Sequence, residues 1–198
     1  RDIPVKTHSR AALARISRNG KQDQGVAADI ICPGFATLKQ YLDSPPDKPR
    51  TRLLALDGIT NPQNLGMIIR SAAAGQIDGI IWSPRGNAAL GPLVIKASAG
   101  TLYKAPLLSC ENLATGLARC SEQGIRICTL EANATTSLFH NNPDASCIFV
   151  LGNETEGVSR EVQALADMSL SIPMRNGVES LNVAVTASLI AYAQALSG

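Results

Sequence analysis

A parallel α/β sheet with helices on both faces is the fold class this sequence predicts for most of its length. Four short runs, Leu53–Leu56, Gly79–Trp82, Ile125–Cys128 and Cys147–Leu151, are apolar but for Arg126, the pattern of strands buried on both sides. Helical stretches separate them, at about 64–75, 90–100, 111–123, 159–166 and 181–196. Strands alternating with helices give parallel pairing. The 198 residues, 45% of them apolar, suffice for one well-buried core.

Taken in order, Ser9 caps a short helix through about Arg18, with Leu13 and Ile16 inward and Arg10, Arg15 and Arg18 outward. A turn near Asn19-Gly20 and a strand over Val26–Ile31 follow. The stretch Asp43-Ser44-Pro45-Pro46-Asp47-Lys48-Pro49 breaks helix and ladder alike and stiffens the backbone as a linker. The boundary is therefore expected after residue 48, with residues 49–198 as the main domain. The upstream elements make too thin a core to stand alone, and the first residue is Arg, so this segment reads as the end of a domain that begins earlier. In the last helix Val185, Leu189, Tyr192 and Leu196 share one apolar face.

Composition narrows the function. No run approaches the roughly 20 apolar residues of a membrane span, and no secretion signal opens the chain. The five cysteines are scattered without a C-x-x-C pair, as expected of reduced thiols in the cytoplasm or an organellar matrix. His8 and His140 have no metal ligands at suitable spacing, so no metal site is expected. The net charge of +2 hides an asymmetry: residues 1–52 carry ten Lys/Arg against five Asp/Glu, and the remainder eight against eleven. The basic part is the one suited to a polyanion, through Arg10, Arg15, Arg18 and Lys21. With 4% aromatics, shape and backbone recognition of a structured RNA fits better than base stacking.

Three segments interrupt the apolar elements with polar residues and glycines at strand ends, where parallel sheets bind ligands. In the first, Leu56 to Arg70, a strand ends at Asp57 and a helix starts near Asn64; Arg70 lies among Ile68, Ile69 and Ala72 to Ala74. In the second, Ile148 to Ser159, a strand enters a loop bounded by Gly152 and Gly157 and leaves in a helix capped by Ser159. A triphosphate-binding loop would need a lysine where Val158 stands, and Glu154 and Glu156 would repel phosphate. In the third, Leu170 to Val185, a strand runs into Pro173, and Ser180 and Asn182 open the final helix.

Asn64-x-Gly66-x-x-x-Arg70, Leu151-Gly152-Asn153-Glu154-x-x-Gly157-Val158-Ser159 and Ile172-Pro173-Met174-x-x-Gly177-x-x-Ser180-Leu181-Asn182-Val183 together resemble the three motifs of the SpoU (TrmH) family. These are S-adenosylmethionine-dependent RNA ribose 2′-O-methyltransferases of the SPOUT class. The resemblance spans residues 53–198 and implies a sheet whose C-terminal segment forms a trefoil knot, an exception to the rule against knots. It implies a homodimer with S-adenosylmethionine held by Leu130, Gly152, Asn153, Ile172, Met174 and Leu181. Asn64, Arg70, Glu154, Ser180 and Asn182 would form the catalytic and RNA-positioning group. Arg70 would assist removal of the hydroxyl proton; because a guanidinium stays charged, its physical contribution would be to hold the target phosphate and stabilise the developing alkoxide. Glu154 would orient that guanidinium. Upstream, Gln24-Gly25-Val26 resembles the end of the small ribosomal-protein-like RNA-binding domain of many members, with Asp23 where they carry His.

The substrate implied is rRNA before tRNA. The competing reading, a non-catalytic RNA-binding or ribosome-assembly factor with the same fold, is disfavoured by the intact motif residues. A dinucleotide-binding oxidoreductase is disfavoured because no G-x-G-x-x-G follows a predicted strand.

Overall fold

The computed structural model describes residues 3–17, 20–21, 23–28, 34–140 and 145–193. The chain divides into two units, residues 1–33 and 34–198.

In the first unit, α1 (Arg10–Ser17) begins where expected, with the Ala12 amide donating to Ser9 Oγ at 3.3 Å. No residue of α1 is buried, and Ile16, expected to face inward, is 51% exposed. One helix and a turn offer it no second layer to pack on. The Asp23 carboxylate ties helix to turn: Ser17 Oγ donates to it at 2.9 Å and the Gly25 amide at 3.0 Å. These hydrogen bonds, the Gly25 amide first, hold the Asp23 pKa below the usual carboxylate value. Val26–Ala28 form no strand, and residues 29–31 of the expected strand lie outside the described residues.

The second unit opens with β1 (Ala36–Thr37) and α2 (Leu38–Asp43). Then follow β2 (Arg52–Leu56), α3 (Pro62–Ala74), β3 (Gly79–Trp82), α4 (Pro92–Ala97), β4 (Leu107–Ser109) and α5 (Leu113–Glu122). The second half contains β5 (Arg126–Leu130), β6 (Thr136–Ser137), β7 (Cys147–Leu151), α6 (Arg160–Gln163), β8 (Met168–Ser171) and α7 (Val183–Tyr192). The strands form one sheet in the order β1-β4-β3-β2-β7-β5-β8-β6, each pair parallel.

Alternation along β2 sorts the core into two layers. Leu54 and Leu56 face α3 and α7, together with Ile80 and Phe149. Leu53 and Ala55 face α2, α5 and α6, together with Ile127 and Ile148. A parallel sheet covered on both faces is thus what the chain builds.

The unit boundary differs from the one expected. β1 pairs with β4, and α2 packs beside α5, so residues 34–48 belong to the larger unit. The proline-rich stretch links α2 to β2 within it, anchored by an ion pair of 2.6 Å between Lys48 and Asp78.

The chain runs outward from β2 through β3 to β4, then returns across the sheet and inserts β7 between β2 and β5. This reversal leaves a crevice at the carboxyl ends of the strands.

Candidate functional site

Three loops meet at that crevice. The first, after β2, is fixed by α3. Asn61 Oδ1 accepts from the Gln63 amide at 2.8 Å and Pro62 occupies the first helical turn. Asn61 is therefore the cap, which frees Asn64, one turn in and 5% exposed, to aim its amide sideways.

The second loop, after β7, folds back on itself. The Asn153 amide donates to the Gly157 carbonyl at 2.8 Å and the Gly157 amide to the Asn153 carbonyl at 2.9 Å. The Asn153 side chain donates to the Gly58 carbonyl at 2.8 Å and accepts from the Thr155 amide at 2.8 Å. Its groups are occupied in shaping the wall. Gly152 admits no side chain, since a Cβ there would stand 2.3 Å from the Gly157 carbonyl carbon and 2.4 Å from the Val158 nitrogen. Ser159 sits at the start of α6, but its hydroxyl caps nothing; its amide donates to Asp57 Oδ2 at 2.7 Å, tying the second loop to the first.

The third loop runs from β8 to α7. Asn182, not Ser180, caps α7, with Oδ1 accepting from the Ala184 amide at 2.9 Å. Its Nδ2 faces the other two loops, donating to Glu154 Oε1 at 3.0 Å and to Asn64 Oδ1 at 3.2 Å. Asn64 Nδ2 closes the triangle on Glu154 Oε1 at 2.7 Å. One side chain from each loop thus meets the others directly.

Beside the triangle lies a cavity of about 390 Å³, within the range of small-molecule sites. Every residue expected to hold the cofactor lines it: Leu130, Gly152, Asn153, Ile172, Met174 and Leu181. Glu154, Ser180 and Asn182 line it as well, and Asn64 adjoins through the triangle. Its walls mix apolar side chains with the polar ones of Asn153, Ser180, Asn182 and Thr186, its charged side chains are the carboxylates of Glu131, Glu154 and Glu179, and no described Lys, Arg or His lines it. The chamber suits a flat apolar ring joined to a cation.

Arg70 is not brought there. Six residues advance it about 240° around α3 from Asn64, and it emerges exposed on the stripe that carries Met67. Its side chain has no hydrogen bond or ion pair among the described residues, and Glu154, expected to orient it, is engaged by the two asparagines. The half-buried guanidinium of the unit is Arg52, 4.9 Å above the Phe149 ring and donating to the Ile190 carbonyl at 3.0 Å. Arg10, Arg15 and Lys21 are exposed in the first unit, and Arg18 lies outside the described residues.

Glu131 was not among the expected site residues. Its sequence signal is position: it directly follows Leu130 at the carboxyl end of β5. The described cysteines take no part in the site. Burial pushes the thiols of Cys110 and Cys147 up to about 11 and those of Cys120 and Cys128 up to about 12, so they stay protonated at neutral pH. Among the described residues no group of three or more His, Cys, Asp and Glu is placed to hold a metal ion, and no helix is long and apolar enough to cross a membrane.

Comparison with known proteins gives the same direction. Residues 51–192 match the SpoU rRNA Methylase family. A protein of Staphylococcus haemolyticus assigned to the TrmH family of tRNA/rRNA methyltransferases is 37% identical over 170 residues, which are 85% of this chain and 68% of that one. Among solved structures, a protein of Porphyromonas gingivalis assigned as a TrmH-family RNA methyltransferase superposes with a TM-score of 0.66 at 31% identity, covering 75% of this chain and 61% of its own. The SpoU methyltransferase AviRb of Streptomyces viridochromogenes, in complex with the cofactor AdoMet, gives 0.70 at 26% identity over 83% of this chain and 67% of its own. The chain thus spans about two thirds of the length of these relatives, and less of the Porphyromonas protein.

Proposed function

Because the chain belongs to the SpoU rRNA Methylase family, we propose that it transfers a methyl group from S-adenosylmethionine to a ribose 2′-hydroxyl of a structured RNA, rRNA before tRNA. The observation that carries this reading is the triangle of Asn64, Glu154 and Asn182 at the edge of the cavity.

The residues present fit the cofactor. Leu130, Ile172 and Leu181 offer apolar contacts for the adenine, and the three lining carboxylates favour a cation. When bound, S-adenosylmethionine supplies a methyl group already activated by its positive sulfur. What remains for the protein is orientation, exclusion of water and charge stabilisation. Ser180 and the two asparagines stand at the cavity edge, where they would fix the ribose by hydrogen bonds. The exposed, unpaired guanidinium of Arg70 would hold the target phosphate and stabilise the alkoxide as it forms. Since Arg70 stands away from the triangle of its own chain, that contribution requires the RNA, or a second copy of the chain, to bring it to the reacting oxygen.

The proposal includes a trefoil knot and a homodimer. Insertion of β7 between β2 and β5, followed by passage of residues 172–182 across the same strand ends, supports a threaded tail. Exposed Met67, Val185 and Tyr192 on the adjoining helices α3 and α7 support pairing of two copies. The first unit would add backbone contacts to the RNA through exposed Arg10, Arg15 and Lys21.

The test is transfer of tritiated methyl groups to rRNA and to tRNA from a strain lacking the protein, with digestion to nucleosides. Label in a 2′-O-methyl nucleoside is expected. Arg70→Ala should lower turnover by about 10²-fold or more while S-adenosylmethionine affinity stays within about threefold. Label on a base, or no label with either RNA, would overturn the assignment.

A further inference from the structure

Glu131 is held in an unusual way. Its backbone amide donates to the Leu170 carbonyl at 2.9 Å, fixing the residue at the end of β5. One carboxylate oxygen, Oε1, accepts from Ser169 Oγ at 2.8 Å and from Gln163 Nε2. Ser169 Oγ is itself 3.0 Å from Thr129 Oγ1, so α6, β8 and β5 all contribute to the clamp. No cation pairs with the carboxylate among the described residues, and Oε2 has no partner among them. An ionised carboxylate has about four acceptor positions. Two neutral donors on one oxygen orient the group and leave the other oxygen unengaged, on a residue that lines the cavity.

Its place in the cavity indicates the ligand group. Glu154 is tied to the loop after β2 through Asn64, whereas Glu131 is tied to β8. Glu131 closes β5 and Glu154 follows β7, neighbouring strands, and their tethers draw them apart, toward β8 on one side and toward β2 on the other. With the methyl group at the triangle, the nucleoside end of the donor would extend toward Glu131 and the apolar side chains of Leu130 and Ile172 beside it. The ribose there presents two adjacent hydroxyls, paired donors for a carboxylate with an open oxygen.

We infer that Glu131 is a specificity-determining residue that accepts hydrogen bonds from the vicinal hydroxyls of the cofactor ribose, with Gln163 and Ser169 as its positioning residues. The inference rests on the proposed use of S-adenosylmethionine. It makes the pocket selective for the adenosyl group through its sugar, a selection the apolar walls cannot supply because they contact only the ring.

The experiment is calorimetric titration of the whole chain with S-adenosylhomocysteine and with its 2′-deoxy and 3′-deoxy analogues. Wild type should bind the deoxy analogues roughly 10–100-fold more weakly than the parent, the scale of a hydrogen bond to a charged group. Glu131→Ala should lose a similar factor for the parent and become insensitive to the missing hydroxyls. Glu131→Gln, which keeps an oxygen in the clamp, guards against an effect of altered folding and should fall between the two. Equal sensitivity to the deoxy analogues in wild type and Glu131→Ala overturns the inference. So does selective loss of sensitivity to an analogue lacking the amino group, which would place the carboxylate on the methionine end. Absence of any binding of S-adenosylhomocysteine or S-adenosylmethionine by wild type would instead remove the cofactor assignment itself.

Discussion

At the scale of single residues, Asn182 joins stability and function in one side chain. Its oxygen caps α7 and its amide reaches Glu154 and Asn64. The two roles separate by substitution. Asn182→Ser keeps an acceptor for the Ala184 amide but is too short to reach Glu154. Asn182→Ala removes both, at a cost of about 1 kcal/mol for the cap, a fall of roughly 2–4 °C in Tm for a chain of this size. Thermal melts should therefore place Asn182→Ser near wild type and Asn182→Ala below it, while methyl transfer drops in both. A fully active Asn182→Ser protein would show that the triangle is structural only. The residue types of the site were legible because Asn64, Glu154 and Asn182 stand in polar interruptions of apolar elements. Their mutual contacts were not, because they are 90 and 28 residues apart and only the sheet order unites them. Arg70 shows the limit from the other side. Its apolar sequence neighbours do not bury it, because on a helix neighbours in sequence point to different faces, and Arg70 shares the exposed stripe with Met67.

At the scale of elements, the loop after β7 illustrates how backbone geometry sets the cavity wall. It turns within six residues, from Gly152 to Gly157, and Gly157 takes a φ of +72° that side chains avoid. Gly152→Ala should act by pushing the Gly157–Val158 backbone away, not by filling the cavity. The expected outcome is a weakening of S-adenosylmethionine binding of tenfold or more, together with loss of the protection that the mutual Asn153 and Gly157 hydrogen bonds give against amide exchange. Weakened binding with unchanged exchange would favour direct obstruction of the ligand instead. The strands β2, β3, β5 and β7 were readable from their runs of apolar residues. β1 and α2 were not, being two and six residues long, too short for periodicity. Their one local sign is the capping box of Thr37 and Gln40, in which each backbone amide is satisfied by the other's side chain. In α7 the face expected to be apolar is not the one that packs inward: Val185 and Tyr192 are exposed and Leu196 lies outside the described residues, because apolar side chains run all round the helix and periodicity does not choose among them. Packing chose Ala184, Ala187 and Ala191, whose small side chains allow close approach to α3, and Gly75 accepts Ala191 where a Cβ would clash at 2.7 Å.

At the scale of the whole molecule, that choice leaves larger apolar side chains facing out. Val185 is 48% exposed and Tyr192 and Met67 41% each, with Leu189 half-buried between the first two along α7. The helices that bear them are fastened together, the Ser188 hydroxyl donating to Ser71 Oγ at 2.8 Å. An exposed apolar surface favours association, provided the partner supplies a matching one. A second copy related by a twofold axis supplies it automatically, since the same patch then faces itself. Such pairing would also cover the stripe from which Arg70 emerges, bringing that unpaired guanidinium beside groups of another chain. Light scattering should therefore give twice the 20.8 kDa chain mass. A Val185→Glu/Tyr192→Glu variant should give the single-chain mass, because closing the interface would bury four carboxylates without partners. Its circular dichroism should be unchanged, since both positions are exposed in the isolated chain, and its methyl transfer should be lost along with the dimer. A wild-type chain that remains single at tens of micromolar would exclude pairing. A monomeric variant with full activity would show that Arg70 reaches the ribose through the RNA alone.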